Sequence, residues 1–234
     1  MSIRLTRDQT FQVVCNLRTP TAKGTVVGSG MFILKDEKSP YLLTASHVAH
    51  DCNPSTQVVI SDNNGNCQTF LLSQLNKTLN WTHHSIADVS VLPIILETSI
   101  IPILQGRFFP VDQLKFTQTP PSRDDYLTAV GFPNGLGGVG KFSPFTFRSH
   151  ASSSLITLPR FDTQIPSDFF TLENPSIGGY SGGPVFDLGY VIVGNMTTTT
   201  GPTVCHGIMH GTISDTTGGK IAAVTPCFYV KDII

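Results

Sequence analysis

The sequence predicts an all-β fold built from two antiparallel barrels of roughly six strands each. Three observations carry that expectation. Short runs rich in Val, Ile, Thr and Phe recur at regular intervals along all 234 residues. Twenty-one glycines and sixteen prolines supply the turns between them. One polar, Pro-rich stretch, "TQTPPSRDD" (117–125), divides the runs into two sets.

The first set comprises 10–17, 25–34, 41–49, 57–61, 67–73 and 89–94, and the second 126–132, 145–149, 154–158, 169–173, 184–188, 190–196 and 220–226. The count suits two small barrels, an N-terminal one in 1–116 and a C-terminal one in 126–234. The stretch 117–125 reads as the linker, 200–219 as a long loop, and the tail "CFYVKDII" as a short final helix packed back on the body.

Composition narrows the function classes. Only 13% of residues are charged and 40% are hydrophobic, enough for a sizeable core. The net charge of −1 offers no clustered Lys and Arg for nucleic acid. No run of 18 apolar residues indicates a membrane span, and "MSIRLTRDQTFQVV" has no apolar stretch of leader length. Five cysteines, an odd number, fit reduced thiols, so a cytoplasmic protein is expected. The sequons at Asn76, Asn80 and Asn195 then carry no weight. "GLGGVGKF" (135–142) imitates a phosphate-binding loop, but Phe142 stands where a hydroxyl would hold Mg²⁺, and Pro144 blocks the helix that should follow. It reads as a Gly-rich surface loop.

The chemistry concentrates at "IGGYSGGPVF" (177–186). A serine hydroxyl is a poor nucleophile unless a base lies within hydrogen-bond reach and a third group fixes that base. Acyl transfer also needs backbone N–H groups aimed at the developing oxyanion. Glycines permit such a turn, and the amides of Gly179 and Ser181 are spaced for it. "LLTASHV" supplies His47 as the candidate base, just after an apolar run. "ADVSVLPI" supplies Asp88, an acid whose burial beside an apolar strand demands a partner such as a histidine N–H.

Singly, "SGGP" is an ordinary turn and His47 an ordinary core histidine. Together, "LLTASHV", "ADVSVLPI" and "GGYSGGPVF", in the order His, Asp, Ser, resemble the chymotrypsin/trypsin-like serine proteases. "GSGMFI" (28–33) and "VGFP" (130–133) extend the resemblance over nearly the whole chain. It implies two six-stranded Greek-key barrels with the active site in the cleft between them. It also implies a triad of His47, Asp88 and Ser181, an oxyanion hole from the Gly179 and Ser181 amides, a protein or peptide substrate, and no metal or cofactor. Val48 stands where digestive relatives carry a disulfide cysteine, which points to a bacterial, intracellular type. Tyr180 replaces the aspartate that pairs with a new N-terminus in zymogen-activated relatives. Activation by N-terminal clipping is therefore not expected. The loop is competent as made, or a partner or ligand orders it.

By the same resemblance, the pocket for the residue before the scissile bond has walls at Pro175-Ser176-Ile177, at Met196, Thr197, Thr198 and Thr199, and at Ile221, Ala222 and Ala223. No carboxylate lies among them, and Met196 replaces the histidine of glutamate-cutting relatives. The expected preference is small or apolar. Cys205, His206, His210 and Cys227 raise the thought of zinc, but the spacing is not a standard site. The histidines read as loop residues, with a reach to the pocket as the alternative. His83 and His84 read as surface residues. A binding module with a protease fold, a latent protease switched on by a partner, and a viral polyprotein protease remain alternatives.

Overall fold

In the computed structural model, residues 2–95, 98–214 and 216–234 are described. The first eight strands form one sheet: β1 (Val14–Thr21), β2 (Gly24–Leu34), β3 (Pro40–Thr44), β4 (Gln57–Ser61), β5 (Cys67–Leu71), β6 (Thr82–His83), β7 (Ser90–Pro93) and β8 (Phe109–Pro110). They lie in the order β5-β4-β1-β2-β3-β7-β6. Every pairing on that path is antiparallel, and β8 adds to β2 in parallel. Among the described residues two short α-helices interrupt them, α1 (Ser46–Asp51) and α2 (Ile101–Leu104).

The second half holds β9 (Leu127–Gly131), β10 (Gly138–Val139), β11 (Lys141–Phe142), β12 (Phe145–Ser149), β13 (Ile156–Pro159), β14 (Pro166–Leu172), β15 (Pro184–Asp187), β16 (Tyr190–Val193), β17 (Met196–Thr199), β18 (Val204–Ser214) and β19 (Lys220–Pro226). Seven of these form an antiparallel sheet in the order β12-β9-β15-β18-β19-β14-β13, while β10-β11 and β16-β17 are separate hairpins. The protein is therefore all-β with two sheets, of eight and seven strands rather than six and six. The eight include two two-residue strands, β6 and β8.

Burial explains the arrangement. β2 alternates little, because its residues Gly28–Ile33 are covered on both faces. The largest apolar cluster joins the two sheets, with Val14, Met31 and Phe109 from the first packed with Phe132, Phe186 and Ile208 from the second. Each sheet also has its own cluster, around Phe32, Leu42 and Leu92 in one and Phe170, Tyr180 and Val224 in the other. The two halves are thus held by a shared core, which fixes what lies between them.

Two expectations need correction. The segment 200–219 is not one long loop: 204–214 is β18, a central strand buried from Cys205 to Gly211. The run 41–49 is not one strand, since the chain leaves β3 at Thr44 and turns into α1. The tail forms a 3-10 helix, Cys227–Asp232. The Gly-rich stretch at 135–142 ends in the β10-β11 hairpin, with positive φ at Gly137 and Gly140.

Candidate functional site

His47 is the second residue of α1, reached through Ala45, whose extended backbone turns the chain from β3 into the helix. Asp88 sits just before β7. The turn ahead of it is shaped by His84, whose Nδ1 accepts the amides of Ile86 (3.2 Å) and Ala87 (2.9 Å). His84 is thus a half-buried structural residue, not a free surface one, while His83 stacks on His50 at 4.3 Å.

The Asp88 carboxylate is fully buried, and four donors meet it. Oδ1 accepts the His47 backbone amide (3.0 Å) and Arg160 NH2 (3.2 Å). Oδ2 lies 2.7 Å from His47 Nδ1 and 2.5 Å from His210 Nδ1. Two oxygens offer about four lone-pair sites, so the carboxylate is saturated. Burial alone would raise its pKa. The hydrogen bonds from His210 and His47, reinforced by their charge, outweigh burial and hold the acid far below the usual carboxylate range.

Ser181 occupies a turn pinned from the opposite sheet by Ser29 of β2. The Ser29 amide donates to the Ser181 carbonyl (2.8 Å), and its hydroxyl donates to the Gly179 carbonyl (2.7 Å). Gly179 and Gly182 have φ of +99° and +84°. A Cβ on Gly182 would stand 2.1 Å from both the Ser29 carbonyl and the Thr44 hydroxyl, and one on Gly179 would stand 2.3 Å from the Phe132 carbonyl. Only glycine fits either place. The Gly178 carbonyl accepts the Asn134 amide at 2.7 Å. Across a trans peptide the Gly179 N–H then faces the other way. Among the described residues, the Gly179 and Ser181 amides donate to no acceptor. Tyr180 plugs the turn into the second sheet's core, fully buried and stacked on Phe147 at 4.7 Å.

The Ser181 hydroxyl donates to the His210 carbonyl at 3.1 Å. Among the described residues it makes no hydrogen bond to His47. Thus His47 and Asp88 are in direct contact, and Ser181 joins them through His210, whose ring touches Asp88 and whose carbonyl holds the serine. A cavity of about 300 Å³ opens beside the serine, lined by Phe161, Ser176, Ile177, Gly178, Ser181, Gly211 and Thr212. A larger one of about 500 Å³, around Asp8, Asp62 and Arg107, contains none of these groups.

The expected walls are only partly there. Ser176 and Ile177 line the cavity, and Pro175 does not. Met196, Thr197 and Thr198 lie on β17 of the exposed β16-β17 hairpin, away from that lining. The strand beside the serine is instead the Gly211–Thr212 stretch of β18, because the hairpin is inserted ahead of it. Ala222 is buried in β19, paired with Thr212, and supports the wall from behind.

Cys205 and Cys227 are buried with sulfurs 3.7 Å apart, but His210 turns to Asp88 and His206 lines a separate small cavity, so among the described residues these four do not converge as a ligand set. His47, Asp88 and His210 present ligand atoms within 4.8 Å of one another. Their 2.5 and 2.7 Å separations are those of charge-assisted hydrogen bonds, with protons where a cation would have to sit. Ser29, Arg160 and Phe161 are the site residues that sequence reading did not find, and His210, favoured there as a loop residue, takes the alternative course and reaches the site. Only the small-residue run "GSG" around Ser29 offered a local hint.

The arrangement can take up a proton on an imidazole braced by a buried carboxylate, next to a hydroxyl and two free amides. A family model described as the trypsin-like peptidase domain matches residues 28–194, a span that takes in His47, Asp88 and Ser181. The active form of the Rv3671c protease from M. tuberculosis is similar in fold, at 18% identity over 96% of this chain and 80% of that one, with a TM-score of 0.61. So is a thermostable serine protease from an extremophilic microorganism, at 14% identity over 94% of each chain and a TM-score of 0.57. The serine endoprotease from Yersinia pestis is 20% identical over 98% of this chain and 65% of that one, with a TM-score of 0.54. No curated protein sequence matches.

Proposed function

The chain belongs to the trypsin-like peptidase family, and from that premise we propose that it is a serine endopeptidase acting through Ser181, His47 and Asp88. The observation that carries this reading is the braced imidazole: His47 bound through Nδ1 to a carboxylate with no solvent exposure. In the proposed reaction the Ser181 hydroxyl leaves the His210 carbonyl and turns to His47, a tightening expected on substrate binding. His47 takes its proton as Oγ attacks the scissile carbonyl, then returns it to the leaving amine. Asp88 holds the ring and stabilises the imidazolium. The Gly179 and Ser181 amides hold the oxyanion, and each donor of this kind contributes about 10²–10³ in rate. Water then hydrolyses the acyl-enzyme.

The cavity beside Ser181 supports a preference for small or apolar residues before the scissile bond. Its lining holds no charged side chain, and the buried Ser176 hydroxyl there has no partner. Tyr180 supports a turn that needs no new N-terminal amine. It is held by packing, while the N-terminal segment is tied elsewhere, with the Ile3 amide on Gln113 and the Leu5 amide on Thr203. Among the described residues no helix is long and apolar enough to cross a membrane. The cytoplasmic reading rests on the five free thiols.

Profiling a peptide library with the wild type and Ser181→Ala tests the proposal. Cleavage after small or apolar residues, lost at least about 10³-fold in the variant, is expected. Equal cleavage by both proteins, or none by either, contradicts it. The second outcome favours a partner-binding module.

A further inference from the structure

His210 stands where nothing in the local sequence demands a histidine, and its environment is built for one. The ring is wedged between Phe161, at 4.6 Å, and Phe169, at 4.8 Å, and is only 3% exposed. That packing points Nδ1 at Asp88 Oδ2, the same oxygen that His47 Nδ1 approaches, and the two imidazoles are perpendicular at 5.9 Å. Asp88 is faced by His47 from α1, His210 from β18 and Arg160 from the β13-β14 connection. Arg160 is itself paired with Asp162 and bound to the carbonyls of Ile86 and Ala87.

We propose that His210 is a positioning residue that shares Asp88 with His47 and thereby sets how tightly His47 holds a proton. The inference rests on the catalytic reading above for its consequence, not for its geometry. An oxygen that accepts two N–H donors spreads its charge over both. Each donor stabilises the carboxylate as an anion and weakens its pull on the other's proton. Should His210 itself gain a proton, its positive charge would act in the same direction on its neighbour. Either way, His210 takes a share of the Asp88 oxygen that His47 would otherwise hold alone. The same residue restrains the nucleophile, because its carbonyl accepts the Ser181 hydroxyl. One strand position therefore touches both ends of the site.

The test combines ring titration by nitrogen-15 NMR with pH profiles of hydrolysis in wild type, His210→Phe and His210→Asn. Phenylalanine fills the slot between the two aromatic rings and removes the donor. Asparagine places an amide N–H near the position of Nδ1. The titration midpoint of His47 should move to higher pH in His210→Phe, by about tenfold in proton affinity, the worth of one hydrogen bond to a charged group. The acid limb of kcat/KM should follow it. His210→Asn should restore most of the wild-type profile.

An unmoved His47 midpoint in folded His210→Phe overturns the proposal. Should that variant not fold, the wild type decides. It should show two downfield Nδ1 proton resonances, both lost in Asp88→Asn, and a single one contradicts the sharing. A shifted midpoint without hydrolysis would keep this inference and remove the catalytic reading. Hydrolysis with an unshifted midpoint would do the opposite.

Discussion

The two ends of the site are finished to different degrees. At the Asp88 end every lone pair is taken, by donors from a helix, a strand and a connection of the opposite sheet. At the Ser181 end the hydroxyl has one weak restraint, and among the described residues two backbone amides donate to nothing. The contrast teaches where each half of the chemistry must be prepared. A buried carboxylate is costly unless fully satisfied before any substrate arrives. In the proposed reaction the oxyanion donors must remain open, because their partner exists only while it proceeds. Rigidity at one end and vacancy at the other follow from the same desolvation argument with opposite sign.

The largest expected effect comes from breaking the finished end. Arg160→Met takes from the buried Asp88 its guanidinium partner, leaving the two histidines, and removes the ion partner of Asp162, which is 15% exposed. Urea unfolding should show a loss of about 3–5 kcal/mol, the cost of unpairing a buried ion. Arg160→Lys should recover little, because the fork also serves the carbonyls of Ile86 and Ala87. A stability loss within about 0.5 kcal/mol for Arg160→Met would show that Arg160 does not hold Asp88 in place.

The turn at the open end depends on packing instead. Tyr180→Ala should destabilise by about 3–5 kcal/mol, as for any fully buried aromatic. Tyr180→Phe should lie within about 1 kcal/mol of wild type or be slightly more stable, because the phenol hydroxyl is buried without a partner and burial pushes it well up. A large loss in the phenylalanine variant would mean that the hydroxyl, not the ring, holds the turn.

His206 tests the same reasoning away from the site. It is buried with Nδ1 unpartnered, and burial, with the nearby Lys115 charge, lowers its pKa to about 4. Between that value and the ordinary 6.5 the unfolded chain binds the extra proton. Stability therefore rises with pH across the window and is lost on acidification from about 6.5 to 4, by about 3 kcal/mol at most. His206→Leu should flatten that stretch of the stability–pH curve measured by thermal unfolding. The smallest effect belongs to the hairpin: Met196→Ala and Thr198→Ala should leave cleavage preference unchanged, whereas Thr212→Val, in the cavity wall, should alter it by about tenfold.

How much was legible in the sequence follows from how local each signal is. His47, Asp88 and Ser181 each sit at the edge of a strand or turn whose own residues announce it, and the two sheets follow from recurrent apolar runs. β18 was hidden because His206, Gly207, His210 and Gly211 dilute its apolar pattern. His210 is satisfied in that core strand by Asp88, which lies 122 positions away. Arg160 is likewise 72 positions from the carboxylate it binds. The misplaced pocket wall has a simpler cause. The strand-like β16-β17 hairpin intervenes between β15 and β18, and its residues resemble the wall that β18 supplies.

Fluorophosphonate labelling of the chain with Met1 intact, followed by peptide mapping, probes the proposed nucleophile itself. A single adduct on Ser181, formed much more slowly in His47→Ala and in Asp88→Asn, is expected. No adduct on Ser181, or labelling at equal rate in all three proteins, would contradict it.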